Sequence, residues 1–437
     1  MTVAVIEKVA TETAKPTRLL ALERIPGLWV EIRAKHVFRA VDDRSEDGSE
    51  ELLSVSHVTG VTPRSEKNVT MFMAESYEGY KLCRPGDLVI NSLWAWMRAL
   101  GVSDYHGIVS TAYGVYRLRE SAKFNIKYLD YLLRCDIYGG EYLVRSRGIW
   151  TSRLQLTDNA FFDVPILKPP REEQDAIVAF LDRKLAEIDR FIALKRRLID
   201  LLHEQKAALI SHTATRGLDP TVPMKDSGIE WLGQIPAHWE TKKMKQVANL
   251  LNGYAFDSNS YVEEGIPLIR IGDVSDSIDW SNVKRVPETF LSSLSRFLVK
   301  AGDIILAMTG ATIGKSVVFD STQMALLNQR VGVIRAKNVH QKFLAYFIHS
   351  DQYKARIDDL CFGGAQENIG RDDLANIQIP VPPNEEQRQI VTFLDRETAK
   401  IDALMAKGRE AIEKLKEYRT ALIAEAVTGK IDVRSMR

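Results

Sequence analysis

Two stretches of the chain repeat an apolar residue every seven positions. The first series runs Leu181, Ile188, Lys195, Leu202 and Leu209, with Leu185, Ile192 and Ile199 on a neighbouring line. The second runs Leu394, Ile401, Gly408, Leu415 and Leu422 in the same phase, with Met405 and Ile412 beside it. Spacings of four and seven place these side chains on one broad stripe of a helix. Residues 171–212 contain neither Pro nor Gly. A helix of about 40 residues would be roughly 60 Å long at 1.5 Å per residue. A small domain cannot cover so long a stripe, so the two helices are expected to pair as an antiparallel coiled coil. Leu181, Ile188, Leu202, Leu209, Leu394, Ile401, Leu415 and Leu422 are the expected pairing residues. Lys195 and Gly408 fall on the seam and read as a register device or a polar partner contact; a lysine stem that snorkels is the plainer alternative.

The helices belong to an internal repeat. PPREEQDAIVAFLDRKLAEID at 169–189 matches PPNEEQRQIVTFLDRETAKID at 382–402 without a gap. Fainter matches precede them: Ile25-Pro26-Gly27-Leu28-Trp29 with Ile235-Pro236-Ala237-His238-Trp239, and Pro85-Gly86-Asp87-Leu88-Val89 with Ala301-Gly302-Asp303-Ile304-Ile305. Paired prolines keep the incoming chain extended. Asn384 is the expected cap of the second helix, with Gln387 as its capping-box partner. That helix is expected to end near Gly429, and the first to become irregular by Gly217.

Between the helical parts, short apolar runs alternate with turns. Strands are expected at Asp87–Ile90, Tyr113–Tyr116, Asp303–Ala307 and Val331–Ile334. Short helices are expected at Tyr128–Leu133 and Phe343–Ile348, and final strands at Asp163–Leu167 and Ile377–Val381. The predicted fold is α+β: two mixed globular domains, each followed by a long helix, the helices pairing with pseudo-two-fold symmetry. The segments are 1–168, first domain; 169–215, central helix; 216–381, connector and second domain; and 382–437, C-terminal helix.

Composition changes the picture in two ways. Cys83, Cys135 and Cys361 are odd in number and far apart, which fits a reducing cytoplasm better than a disulfide framework. The start lacks the basic and apolar pattern of a signal peptide, and no apolar run is long enough to span a membrane. Net charge is +1, with 18 basic and 18 acidic residues in 31–170 and 16 of each in 240–383. Such balance gives no support for nucleic acid by itself, because phosphate contacts usually make a duplex binder basic.

Recognisable chemistry is missing. No GxGxxG, HExxH or GxSxG stands in the sequence, and no His/Cys cluster suggests a metal. Gly310–Ser316 imitates a phosphate loop but has Thr309 where the pattern requires its first glycine. No catalytic residue, metal or bound cofactor is expected.

The twice-used PPxEEQ–FLD–I-D unit, following two dissimilar domains, resembles the specificity subunit of Type I restriction-modification enzymes. TGATIGK at 309–315 is similar to a loop of that family's target recognition domains, and Asn91–Met97 with Ile108–Tyr116 resembles another variant. The likeness covers almost the whole chain. It implies a non-catalytic subunit that reads double-stranded DNA in two separated parts. It further implies two modification (methyltransferase) subunits and two restriction (translocase/endonuclease) subunits as partners. S-adenosylmethionine, ATP and magnesium would then belong to those partners. A scaffold holding two proteins at fixed spacing, without DNA, is the alternative.

If DNA is the ligand, the polar and aromatic residues of exposed loops are its readers. In the first domain these are Asn91, Trp96, Arg98, Tyr105, His106 and Arg147, with Trp94 assigned to the core. In the second they are Arg270, Thr309, Thr312, Lys315, Gln329, Arg330, Gln366, Asn368 and Arg371. Lys315 suits a phosphate, and Asp257, Asp273 and Asp303 suit turns or the orientation of basic side chains.

Overall fold

The computed structural model describes residues 14–67, 76–148, 154–275, 277–361 and 368–435. The first domain is built on β1 (Phe38–Val41), β2 (Leu88–Asn91), β3 (Leu100–Val102) and β4 (Tyr113–Leu118), an antiparallel sheet in the order β1-β4-β2-β3. Helix α1 (Ile126–Arg134) follows, and then the long helix α2 (Arg171–Arg216). The second domain repeats the plan with β5 (Ala248–Asn252), β6 (Ile304–Ala307), β7 (Ser316–Val318) and β8 (Val331–Ala336), in the order β5-β8-β6-β7. Helix α3 (Gln341–Ile348) and the second long helix α4 (Asn384–Val427) complete it. The expected strands and helices are therefore present, to within a few residues at their ends.

The run Ile304–Ala307 is wholly apolar because both faces of β6 are covered. Ile304 and Leu306 enter one core with Phe343, Phe347 and Trp239. Ile305 and Ala307 enter another with Phe319, Val317 and Val333. Alternate residues thus serve opposite faces, as strand geometry requires. A two-stranded ribbon closes each domain, pairing Val30–Arg33 with Pro165–Lys168 and Glu240–Lys243 with Gln378–Val381.

A buried carboxylate stands at the same place in each sheet. Asp87 accepts two 2.8 Å bonds from Arg117 and one from the Arg84 amide. Asp303 accepts Arg335 Nε at 2.7 Å and the Lys300 amide, also at 2.7 Å. The bond to Asp303 raises the Arg335 pKa further above its ordinary value. Asp257 and Asp273 cap turns by accepting the Asn259 and Arg270 amides.

The chain divides into two compact units that cut across the sequence segments. One contains residues 1–195 and 410–437; the other contains 196–409. Each unit holds one domain, the first part of its own long helix and the last part of the other. In the second unit Ile199 faces Gly408, and Lys206 meets Asp402 at 2.7 Å, so numbers rise along one helix as they fall along the other. A Cβ on Gly408 would stand 3.1 Å from Ile199, so this seam position is a close approach of the helices. Leu202, Ile401 and Met405 are buried there. In the first unit Asp189 pairs with Arg419, and Leu181, Ile188 and Leu422 are buried. Leu209 and Leu415 are half-buried.

The repeated PPxEEQ segment has a mechanical role. Gln174 is buried; its Oε1 accepts the Asn125 amide at 2.8 Å and its Nε2 donates to the Pro169 carbonyl at 2.9 Å. Gln387 does the same with the His340 amide and the Pro382 carbonyl, both at 2.7 Å. The capping-box expectation for Gln387 is therefore corrected: its amide bolts α3 and the final strand of the domain to the start of α4. A rule of local spacing cannot see the His340 amide, which approaches from another element.

The FLD aspartates extend the same joint. Asp182 accepts Lys127 and Tyr131, and Asp395 accepts Lys342 and Tyr346, each at 2.7 Å. Burial opposes ionisation, yet these bonds hold both carboxyls below their ordinary range. Burial and the bond to Asp395 push Tyr346 up to about 12. At the far helix ends, Gly217 (φ +79°) packs on Trp239 and Gly429 (φ +73°) packs on Trp29 and Pro26. The positive φ and the lack of room for a Cβ both favour glycine at these two stops. Trp239 also donates to Glu386 at 3.0 Å.

Candidate nucleic-acid interface

In the second domain, β6 runs into a loop that turns through Gly310–Thr312 and returns as β7. The Ala307 amide donates to the Lys315 carbonyl at 2.9 Å, and the Gly314 amide to the Ala307 carbonyl at 3.0 Å. These bonds close a hairpin tip. Two other segments clamp the tip. The Ile369 amide donates to the Met308 carbonyl at 2.9 Å, and the Met308 amide to the Arg330 carbonyl at 3.1 Å. Thr309 is bridged to Asn368.

Between these segments lies a cleft of about 550 Å³ lined by Asn252, Thr309, Gln329, Arg330, Asn368 and Arg371, among others. A second cleft, of about 450 Å³, is lined by Phe256, Tyr261, Arg270, Asn328, Gln329 and Arg330. Gln329 and Arg330 form the wall common to both. The structure thus brings together six of the nine candidates named for this domain. Arg270 is not free to reach out, because its guanidinium closes on Asp273 at 3.2 Å. Thr312 and the exposed Lys315 lie further along the loop, outside the residues lining either cleft. Gln366 lies outside the described residues.

The first domain has the same frame with different contents. The Leu156 amide donates to the Ser92 carbonyl at 2.9 Å, the counterpart of the bond between Ile369 and Met308. Arg147 and Gln155 exchange backbone bonds of 3.0 and 2.9 Å beside it, and the Arg147 side chain is exposed. Asn91 ends β2 half-buried. Trp94 corrects its assignment to the core: it is 49% exposed and stacks on Trp96, with centroids 6.2 Å apart. The strand has ended by this point, and in the turn Ala95–Met97 it is the small Ala95 that is buried.

Trp96 has its Nε1 buried without a partner among the described residues, so it is the inner member of the pair. Arg98 adopts a left-handed conformation (φ 64°) and meets Asp136 at 2.5 Å, which ties its charge to α-helical residues of its own domain. Tyr105, like Tyr113, packs half-buried against the cluster around Val89, while His106 is exposed. Sequence reasoning missed Asn252, Phe256, Tyr261 and the exposure of Trp94. Asn252 carried a signal, since it precedes Gly253 at the end of an apolar run.

Among the described residues no group of three or more His, Cys, Asp or Glu side chains is arranged to hold a metal. No helix there is long and apolar enough to cross a membrane.

The family described as Type I restriction modification DNA specificity domain matches residues 236–414. The chain is 28% identical over 316 residues to the Type I restriction enzyme MjaVIII specificity subunit of Methanocaldococcus jannaschii, covering 71% of each. Its fold is similar to the crystal structure of the HsdS subunit from Thermoanaerobacter tengcongensis, with a TM-score of 0.54 and 19% identity over 94% of this chain and 99% of that one. A chain from work on complex assembly and conformational transition of the type I R-M system gives a TM-score of 0.67, with 19% identity over 93% of this chain and 99% of that one. Residues 236–414 thus match the DNA specificity domain of Type I restriction-modification systems, and the whole chain, with two sheet domains of one plan, is similar to the specificity subunits of those systems.

Proposed function

We propose that this chain recognises a bipartite DNA target, one half per domain, and sets the gap between the halves through its long helices. One observation carries this reading: the two domains share a frame but not a lining. The bonds Ser92–Leu156 and Met308–Ile369 hold equivalent loops, yet one site presents the exposed Trp94 with Asn91 and Arg147, and the other presents Thr309, Gln329 and Asn368 with Arg330 and Arg371. A preserved scaffold with unlike contact residues suits two reading heads for unlike sequences.

Methylation and cleavage belong to two modification and two restriction subunits, which carry S-adenosylmethionine, ATP and magnesium. Phe191 and Leu194 in the first unit, and Leu198, Leu201 and Leu404 in the second, stay about half-exposed on the helices. These apolar side chains suit helix-on-helix docking of a partner to each unit. The partners would supply the positive field that a chain of charge +1 lacks. Genome-wide mapping of methylated adenine, with and without this gene beside active partners, tests the proposal. Loss of methylation at one split motif is expected; an unchanged methylome would refute it.

A further inference from the structure

We infer that the second domain reads a half-site containing guanine, with Arg330 and Arg371 as the residues that bond the guanine edge. This rests on the DNA-reading role proposed above and adds the base that is read.

The inference starts from which cations are available. Three arginines line the two adjoining clefts. Arg270 is closed onto Asp273 through Nε at 3.2 Å and Nη2 at 3.3 Å. Nearby Arg335 is committed to the buried Asp303. Arg330 and Arg371 have no ion-pair partner among the described residues and are exposed. Two unengaged guanidinium forks therefore project at one cleft.

Their placement favours bases over phosphates. Arg330 sits in a turn fixed from three directions: its carbonyl accepts the Met308 amide at 3.1 Å, the Val331 amide donates to Asn328 at 3.0 Å, and the Asn328 amide donates to Ile269 at 3.0 Å. A phosphate is served by a charge on a mobile stem, such as the exposed Lys315. Reading a base edge needs a planar fork held in register, and arginine matches the two acceptors of guanine. The side-chain amides of Asn252, Gln329 and Asn368 share the cleft and can serve the neighbouring bases.

The test uses the complex of this chain with its modification subunits. Exchanging residues 236–381 for those of a relative first identifies the half-site read by this domain. If neither half changes, the DNA-reading role itself fails. If one half changes, it is expected to contain guanine. Replacing that guanine by 7-deazaguanine, which lacks the N7 acceptor, should weaken binding by the wild type roughly ten- to hundred-fold. In Arg330→Ala or Arg371→Ala, whichever faces that base, the same replacement should cost little more. Arg330→Lys should keep non-specific binding while losing discrimination at that position. Thermal unfolding of the variants should be unchanged, since the side chains are exposed. A half-site without guanine on either strand would overturn the inference. So would variants that weaken all duplexes alike with a shallower salt dependence, which would make these arginines phosphate contacts.

Discussion

Gln387 provides the sharpest test of how each domain is joined to its helix. In Gln387→Ala the Pro382 carbonyl, buried beneath the joint, loses the side-chain donor that Gln387 supplies, and the partly exposed His340 amide loses its acceptor. A stranded buried carbonyl costs about 1–3 kcal/mol, and the second bond contributes about 1 kcal/mol because water can replace its acceptor. The expected loss is therefore about 2–4 kcal/mol. Glu385 stands two residues away in the same segment, but its side chain is 70% exposed and pairs with the exposed Arg388. Glu385→Ala should cost less than about 0.5 kcal/mol. Urea unfolding followed by tryptophan fluorescence measures both, with the two compact units fitted as separate transitions where they separate. Gln174→Ala should behave like Gln387→Ala, since its bonds have the same geometry. Equal, small effects of the Gln387 and Glu385 substitutions would refute the joint and return the segment to a surface role.

Three further outcomes follow from the packing. Gly408→Leu should destabilise the helix pair by about 1–3 kcal/mol through overpacking against Ile199, whereas Gly408→Ala should be near neutral because improved helix propensity offsets a small shift; thermal unfolding distinguishes them. Arg335→Ala should cost about 3–5 kcal/mol because it leaves the Asp303 carboxylate buried and unpaired, and calorimetry would report a smaller loss for Arg335→Ala with Asp303→Ala. The depressed pKa values of Asp182 and Asp395 give stability that is full above their ordinary value of 3.8 and is lost as pH falls through the lower folded value. Acid titration monitored by circular dichroism should show a flatter acid limb for the Asp182→Asn, Asp395→Asn double variant; an identical limb would count against the assignment.

The helices were legible because one periodicity, repeated in phase at two places, reports burial of a stripe whatever covers it. The sheet strands were legible for a similar reason: Ile304–Ala307 is apolar on both faces and ends in turns. Pairing choices were less legible. Nothing local to Arg98 announces Asp136, and nothing in the EEQ triplet announces the His340 amide, because both contacts are set by elements distant in sequence. The exposure of Trp94 and the deeper burial of Trp96 were hidden since alternation stops where β2 ends. In the second domain Thr309, Gln329, Arg330 and Asn368 lie between regular elements and Arg371 opens a short helix, and the sheet gathers all five along one cleft. The division into units was hidden, because a helix shared between two cores looks in sequence like one uninterrupted element.

Excising seven residues from both long helices, at positions that face each other across the seam, puts the spacing role to a quantitative test. Seven residues remove about 10 Å of helix at 1.5 Å per residue, the length of about three base pairs at 3.4 Å. The methylome of a strain carrying the shortened chain should show the same two half-sites separated by a gap about three base pairs shorter. An unchanged gap, with methylation retained, would contradict the proposed role of the helices as the spacer.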